Sequence, residues 1–163
     1  MGLLHDIHNG LDGLTSDLAL GSPANLRAQG NHGCLQLEVL AVEQLACSLG
    51  QIVYHANQPF AESQEDLKTL GDELARRVNY LLEPIGSQEL DGQSTTLQMR
   101  SVPPSVDRDH RSYYELLLRL NGQIELTRYE QADRSPRTKT PLELTRQVLV
   151  RLAEDFDGLA SGE

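Results

Sequence analysis

The sequence predicts an α+β fold, arranged as a two-layer sandwich. A mostly antiparallel sheet of meander and hairpin strands carries helices on one face, with an additional N-terminal amphipathic helix. Three observations support this prediction. Asn121-Gly122 lies between two apolar-rich runs, which is a strong β-hairpin signal. In two further segments, one beginning near residue 63 and one near residue 140, apolar residues recur at helical spacing after a hydroxyl residue that can cap a helix.

The N-terminal segment, residues 1–20, has the apolar pattern of a narrow amphipathic helix. Gly10 and Gly13 lie inside it, and each costs about 1 kcal/mol of helix stability relative to alanine. We therefore expect this helix to form by docking on the rest of the domain or on a second copy of the chain. The predicted apolar seam consists of Leu4, Ile7, Leu11, Leu14 and Leu18.

Residues 21–33 have the composition of a flexible linker, with three glycines, one proline and small polar residues. The sequence then predicts a single α+β domain over residues 34–158. Gly158 is the expected end of the last helix, which leaves residues 159–163 as a disordered tail.

Residues 34–40 alternate apolar and polar side chains, which predicts a strand. Residues 41–56 fit both a helical and an extended pattern. Gly50 and the β-favouring run Ile52-Val53-Tyr54 favour strands there, while the helical alternative stays open.

A second helix is predicted to begin after Ser63, whose side chain can cap a free backbone N–H, with Asp66 at the reciprocal position. Pro84 and Gly86 are expected to end it. Its apolar stripe comprises Leu67, Leu70, Leu74, Val78, Leu81 and Leu82.

Two hairpins are expected to follow this helix. Residues 87–90 and 95–101 form the first, and residues 107–111 are then an exposed charged loop. In the second hairpin, a three-residue loop ending at Gly122 pairs Leu118 with Ile124 and gives one clean apolar face, which a two-residue loop does not. Gly122 would take the left-handed backbone conformation.

The last helix is predicted to start at Thr140, with Pro141 in its first position and Glu143 completing a capping box. Its apolar stripe comprises Leu142, Thr145, Val148, Leu149, Leu152 and Phe156.

The composition bounds the function. The chain has 163 residues, 39% of them hydrophobic, and a net charge of −10, although residues 100–151 hold ten basic against seven acidic residues. Overall acidity makes nucleic-acid or anionic-membrane binding unfavourable. The sequence lacks a run of ~20 apolar residues and a secretory signal, so we expect a cytoplasmic protein that does not span a membrane.

Sequence motifs for catalysis and cofactor binding are absent, including G-x-S-x-G, G-x-G-x-x-G and the P-loop pattern. His5 and His8 have a spacing that can chelate a metal, but we identify no third ligand. Cys34 and Cys47 are interpreted as free thiols, with one bridge as the alternative. We therefore predict no catalytic residues, no metal site and no cofactor.

The polar residues that could form a ligand site lie in and after the 102–112 loop, where charged side chains precede a tyrosine-rich strand. The candidate binding residues are Arg108, Asp109, His110, Arg111, Tyr113 and Arg128.

In element order, size and acidity, most of the chain resembles the type III secretion chaperones, which are small acidic α+β dimers that keep a secreted client unfolded. No residue motif carries this resemblance, so it assigns no site residues. It implies a non-enzymatic protein-interaction module that acts as a homodimer, which is our leading hypothesis. The alternative is a small enzyme or ligand-binding domain that uses polar residues of the 102–112 loop.

Overall fold

The computed structural model describes residues 2–14, 18, 21–60, 62–91, 93 and 95–162. The described residues form three helices: α1 (Leu3–Gly13), α2 (Gln64–Arg77) and α3 (Arg146–Ser161). They also form ten strands: β1 (Ala24–Gln29), β2 (Gly33–Val42), β3 (Ala46–Ala56), β4 (Ile85–Leu90), β5 (Thr96–Ser101), β6 (Ser105–Asp107), β7 (His110–Arg119), β8 (Gln123–Ala132), β9 (Thr138–Thr140) and β10 (Leu142–Thr145).

The strands form one antiparallel sheet with the order β1-β2-β3-β8-β7-β5-β4. Three short strands extend it, because β10 pairs with β3, β6 pairs with β7 and β9 pairs with β8. All three helices contribute buried side chains to the same hydrophobic core as the strands. The prediction of a mixed α+β fold with a mostly antiparallel sheet is confirmed.

The central hairpin β7–β8 has the predicted register. Leu118 pairs with Ile124 and Leu116 pairs with Leu126, and all four side chains are fully buried. Gly122 has a φ angle of +100°, so the residue at this turn takes the backbone conformation that glycine allows at no steric cost. The hairpin β4–β5 and the strand interpretation of residues 41–56 are confirmed as well.

The prediction of a flexible linker at residues 21–33 is wrong, because β1 lies inside it and pairs with β2 along its whole length. Two of its three glycines, Gly30 and Gly33, lie where the chain turns from β1 into β2. A Cβ atom on Gly30 would lie 2.4 Å from the Asp157 carboxylate of α3, and one on Gly33 would lie 2.4 Å from the Tyr54 hydroxyl. Glycine therefore lets the turn approach α3 closely at Gly30 and β3 closely at Gly33.

Helix α1 is shorter than predicted within the described residues, and it buries a slightly different seam. Leu3, Ile7 and Leu11 are buried, whereas Leu4 is 49% exposed and was wrongly placed in the seam. Leu3, Ile7 and Leu11 follow one another at intervals of four residues, so they lie on one face of α1. This face, which does not include Leu4, packs against β1 and α3. Residues 15–17, 19 and 20 of the predicted helix lie outside the described residues.

The predicted start and end of the last helix are both wrong. Thr140 ends β9, and the following residues alternate between buried and exposed as β10, so their period is that of a strand. The helix starts at Arg146, and the Thr145 side chain accepts the hydrogen bond of the Val148 N–H at 3.1 Å. It continues through Gly158 to Ser161, and Gly162 is its left-handed C-cap. The prediction of a disordered tail over residues 159–163 is therefore wrong for residues 159–162, and residue 163 lies outside the described residues.

Helix α2 begins as predicted, since the Ser63 hydroxyl accepts a hydrogen bond from the Asp66 N–H at 3.2 Å. It ends at Arg77, earlier than expected. The last residue of the predicted stripe, Leu82, is 80% exposed. Cys34 and Cys47 are both free.

Candidate functional site

The structure places the six predicted binding residues at four different positions. Arg108 and Asp109 form the exposed turn between β6 and β7, where Arg108 has a φ angle of +55°. His110 begins β7 and is also exposed. The remaining three residues lie further along β7 and on β8, where the strand alternation decides which face of the sheet they occupy.

Arg128 lies on the apolar face and is buried there. Its guanidinium donates two hydrogen bonds to Glu83, at 3.0 and 2.8 Å, and it stacks over the Tyr114 ring at 4.4 Å. Burial opposes ionisation of Glu83, but the hydrogen bonds from Arg128 and Ser105 outweigh it and lower the pKa of this carboxyl. Arg128 therefore neutralises an internal charge and is not available to a ligand.

Arg111 and Tyr113 lie together on the opposite, polar face of the sheet. They line a hollow of about 320 Å³ that opens where residues 102–104 leave the sheet between β5 and β6. We call this hollow the arginine groove, and it is lined by Arg100, Val102, Pro104, Arg111, Tyr113 and Gln131.

The wall of the arginine groove is held by a network around Glu115, whose side chain is only 5% exposed. Arg137 donates hydrogen bonds to the Glu115 carboxylate at 2.6 Å and to the Tyr113 hydroxyl at 3.2 Å. These two bonds raise the pKa of the Arg137 guanidinium. Arg137 also stacks on Tyr129 at 3.9 Å, and Tyr129 stacks on Tyr113 at 6.0 Å. Tyr113 is thereby fixed in place as the floor of the groove.

A second hollow, which the sequence analysis missed, lies between α1, the β2–β3 turn and the start of α3. It has a volume of about 510 Å³ and we call it the apolar groove. Leu4, Leu45 and Val150 form its apolar surface, and polar side chains such as His8 and Gln147 line the rest. Leu45 is 77% exposed and occupies the turn itself. An apolar residue in a β-turn, where polar residues are usual, is the sequence signal that could have identified it.

The turn that carries Leu45 is held rigidly by Arg146, the first residue of α3. The Arg146 N–H donates to the Leu45 carbonyl at 2.9 Å, and its guanidinium donates to the Glu43 carbonyl and to Asp12 of α1. Within the turn, the Glu43 N–H donates to the Ala46 carbonyl at 2.8 Å. One arginine thus joins the three elements that surround the apolar groove.

Within the described residues, no group of three or more His, Cys, Asp or Glu side chains is arranged to hold a metal ion. His5 forms a hydrogen bond of 2.7 Å with Asn9, while His8 lines the apolar groove. The helices among these residues are too short or too polar to cross a bilayer. Comparisons of the chain with family models, with curated proteins and with solved structures found no match.

Proposed function

We propose that the chain is a non-catalytic protein-binding module that holds an apolar segment of another protein in the apolar groove. The observation that carries this proposal is the exposure of Leu45 and Leu4, at 77% and 49%, on either side of one groove. Exposed apolar surface with a polar rim is typical of protein interaction sites.

Leu45 is suited to binding because its backbone is already fixed. The hydrogen bonds from Arg146 and within the turn hold the position of Leu45 before any partner arrives. Binding of a partner therefore does not have to order this loop. Ordering of loops on binding costs free energy, which is a main reason why affinity is lower than the buried area alone would suggest. Preorganisation supports a binding role for the exposed leucine.

The two exposed leucines alone do not supply enough binding free energy to hold a partner. Covering the exposed parts of Leu4 and Leu45 would contribute about 1–2 kcal/mol each. Micromolar affinity requires about 8 kcal/mol, so the partner must also contact polar residues around the groove. Gln44, Gln147 and His8 are placed to make such contacts.

We further propose a chaperone-like role in the cytoplasm, as a homodimer and with a two-layer arrangement of sheet and helices, in keeping with the resemblance to the type III secretion chaperones. The acidity of the chain and its order of helices and strands support this part of the proposal. Sedimentation equilibrium of the purified chain tests the dimer. A monomer mass, together with an unfolding midpoint that is unchanged over a hundredfold dilution, would contradict it.

The binding proposal is tested by affinity purification of the tagged chain from a lysate of its source organism, followed by mass spectrometry. We expect one protein at near-stoichiometric yield, and we expect the Leu45→Glu variant to lose it. Leu82→Glu is the matched control, because Leu82 is 80% exposed and does not line the apolar groove.

Both variants change exposed side chains, so their stabilities should differ from that of the wild type by less than about 0.5 kcal/mol. A photo-crosslinking residue at position 45 should mark the partner, and one at position 82 should not. Retention of the partner by Leu45→Glu would refute the apolar groove as its site. Conversion of a dimer to a monomer by Leu45→Glu would show that a second copy occupies the groove.

A further inference from the structure

We propose that the arginine groove is a binding site for a small organic anion, which places its carboxylate or phosphate group between Arg100 and Arg111 and its apolar part against Val102 and Pro104. This site is independent of the apolar groove, since the two share no lining residue.

Arg111 differs from most arginines of the chain, which are already paired with other groups. Most arginines among the described residues are paired with a carboxylate, a sulfur atom or an aromatic ring. The exceptions within that part of the chain are Arg108, Arg111 and Arg134. All three lie at one end of the sheet, in the β6–β7 turn, at the start of β7 and in the β8–β9 loop. Arg111 alone among them lines the arginine groove, so the hollow contains a guanidinium that forms no ion pair or hydrogen bond with another described residue.

The geometry of the hollow also supports a site for an anion. Arg111 and Tyr113 are two residues apart on β7, which puts their side chains on one face at a spacing of roughly 7 Å. Arg100 approaches the Tyr113 ring from β5, with its guanidinium carbon 5.6 Å from the ring centre. Because Arg100 pairs with Glu115 on β7, Tyr113 lies between the positions of Arg100 and Arg111 along this face of the sheet. A planar guanidinium offers two parallel donors, which match a carboxylate or a phosphate.

The other residues that line the hollow favour an anion that also has an apolar part. Gln131 lies directly opposite Arg111 on β8 and adds an amide to the same wall. Val102 is 49% exposed and, with Pro104, forms the apolar wall. A hollow of about 320 Å³ has the size of a site for a single small molecule. The combination of two cations, one amide and an apolar wall selects an anion that also carries an apolar group.

The carboxylates near the arginine groove determine how tightly an anion is expected to bind there. Asp107 ends β6, Asp109 and Asp133 lie in the adjoining turns, and the Arg100 guanidinium is 3.7 Å from Glu115. These carboxylates weaken the positive potential of this end of the sheet, so inorganic phosphate should bind weakly. An anion that gains contacts with Val102 and Pro104 should bind more tightly.

The test is titration of the full chain with phenyl phosphate, benzoate and inorganic phosphate, followed by two-dimensional NMR of the backbone amides. We expect saturable shifts at residues 100–102 and 111–113 with phenyl phosphate or benzoate, and the tighter of these two probes identifies the anionic group. Phenyl phosphate should bind at least several-fold more tightly than inorganic phosphate.

Arg111→Gln should weaken binding of the tighter probe about tenfold, because it removes one charge-assisted contact while keeping a polar side chain. Arg27→Gln is the matched control, since it removes the same charge from the exposed surface of β1 at the other edge of the sheet. It should change binding less than twofold. Equal weakening by both variants, shifts that do not saturate, or equal affinity for phenyl phosphate and inorganic phosphate would overturn the proposal.

Discussion

Gly10 and Gly13 lie in the same helix, but the structure gives them opposite surroundings. A Cβ atom on Gly13 would meet nothing within 4 Å, whereas a Cβ atom on Gly10 would lie 2.4 Å from Leu26 Cδ1 and 2.8 Å from its Cγ. Leu26 belongs to β1 and is only 5% exposed, so its side chain has little room to move away. At Gly10 the backbone of α1 therefore packs directly against Leu26 of β1.

The two alanine substitutions should change the free energy of unfolding in opposite directions. Gly13→Ala should stabilise the protein by up to about 1 kcal/mol, because alanine is the better helix former and loses less backbone entropy. At Gly10 the same gain is offset by an overpacking cost of about 1–3 kcal/mol against Leu26. The difference between the two variants should therefore be about 1–3 kcal/mol.

Urea denaturation followed by circular dichroism measures both variants, with equal m values as the control that the unfolded states are comparable. A double-mutant cycle isolates the contact: with Leu26→Ala as the background, Gly10→Ala should become favourable because its Cβ then has space. Equal stabilisation by Gly10→Ala and Gly13→Ala in the wild-type background would refute the packing of α1 on β1.

Three further predictions concern buried polar groups. Asp157→Asn should cost about 2–3 kcal/mol in urea denaturation, because the carboxylate accepts hydrogen bonds from two backbone N–H groups of the β1–β2 turn and from a buried tyrosine hydroxyl; a loss below about 0.5 kcal/mol would contradict this role. Glu83→Gln should cost about 3–5 kcal/mol, because it leaves the buried Arg128 without its counter-ion. The folded-state pKa of Glu83 is lowered below 4.5, so its contribution to stability is complete above that pH and is lost as the pH falls through the folded-state pKa. The free energy of unfolding of the Glu83→Gln variant should therefore fall less steeply than that of the wild type as the pH is lowered. An unchanged decrease at acid pH would show that the Glu83–Arg128 pair does not contribute. Burial raises the pKa of the Cys47 thiol to about 11, so at pH 8 only about a thousandth of it is thiolate, and a disulfide reagent should modify Cys34 first; equal rates in the Cys34→Ala and Cys47→Ala variants would contradict this order.

The parts of the fold that the sequence predicts correctly are those decided by local chemistry. Asn121-Gly122 fixes the turn of the central hairpin, and the alternation on either side allows only one register that buries a complete apolar face. Ser63 likewise satisfies a backbone donor three residues away. In both cases the interacting groups are close in the sequence, so the pattern contains the information needed.

The errors arise where a distant residue decides the structure. The β1–β2 turn has the composition of a linker, but its N–H groups bind the carboxylate of Asp157, more than 120 residues further along the chain. Similarly, residues 142–145 fit a helical capping pattern, but the free edge of β3 pairs with them as β10. Neither partner can be recognised from the local sequence.

For the candidate sites, part of the placement of the residues could have been derived from the sequence. The predicted hairpin register already places Tyr114 opposite Arg128 and Tyr113 opposite Tyr129, so Arg128 and Tyr113 must lie on opposite faces of the sheet. Arg111 and Tyr113, two residues apart, must share one face. The apolar groove needed three-dimensional information, because Leu4, Leu45 and Val150 come from three separate elements.

The distribution of arginine also explains why a locally basic segment does not make a basic surface. Residues 100–151 carry the excess of arginine, but Glu115 binds Arg137 and lies close to Arg100, while Glu125 binds Arg119. These ion pairs neutralise the polar face of the sheet and leave few guanidinium groups for a partner. Nucleic-acid binding would need several free cations along one surface, so we continue to expect it to be weak. A single organic anion needs only the guanidinium groups of Arg100 and Arg111, which line the same hollow.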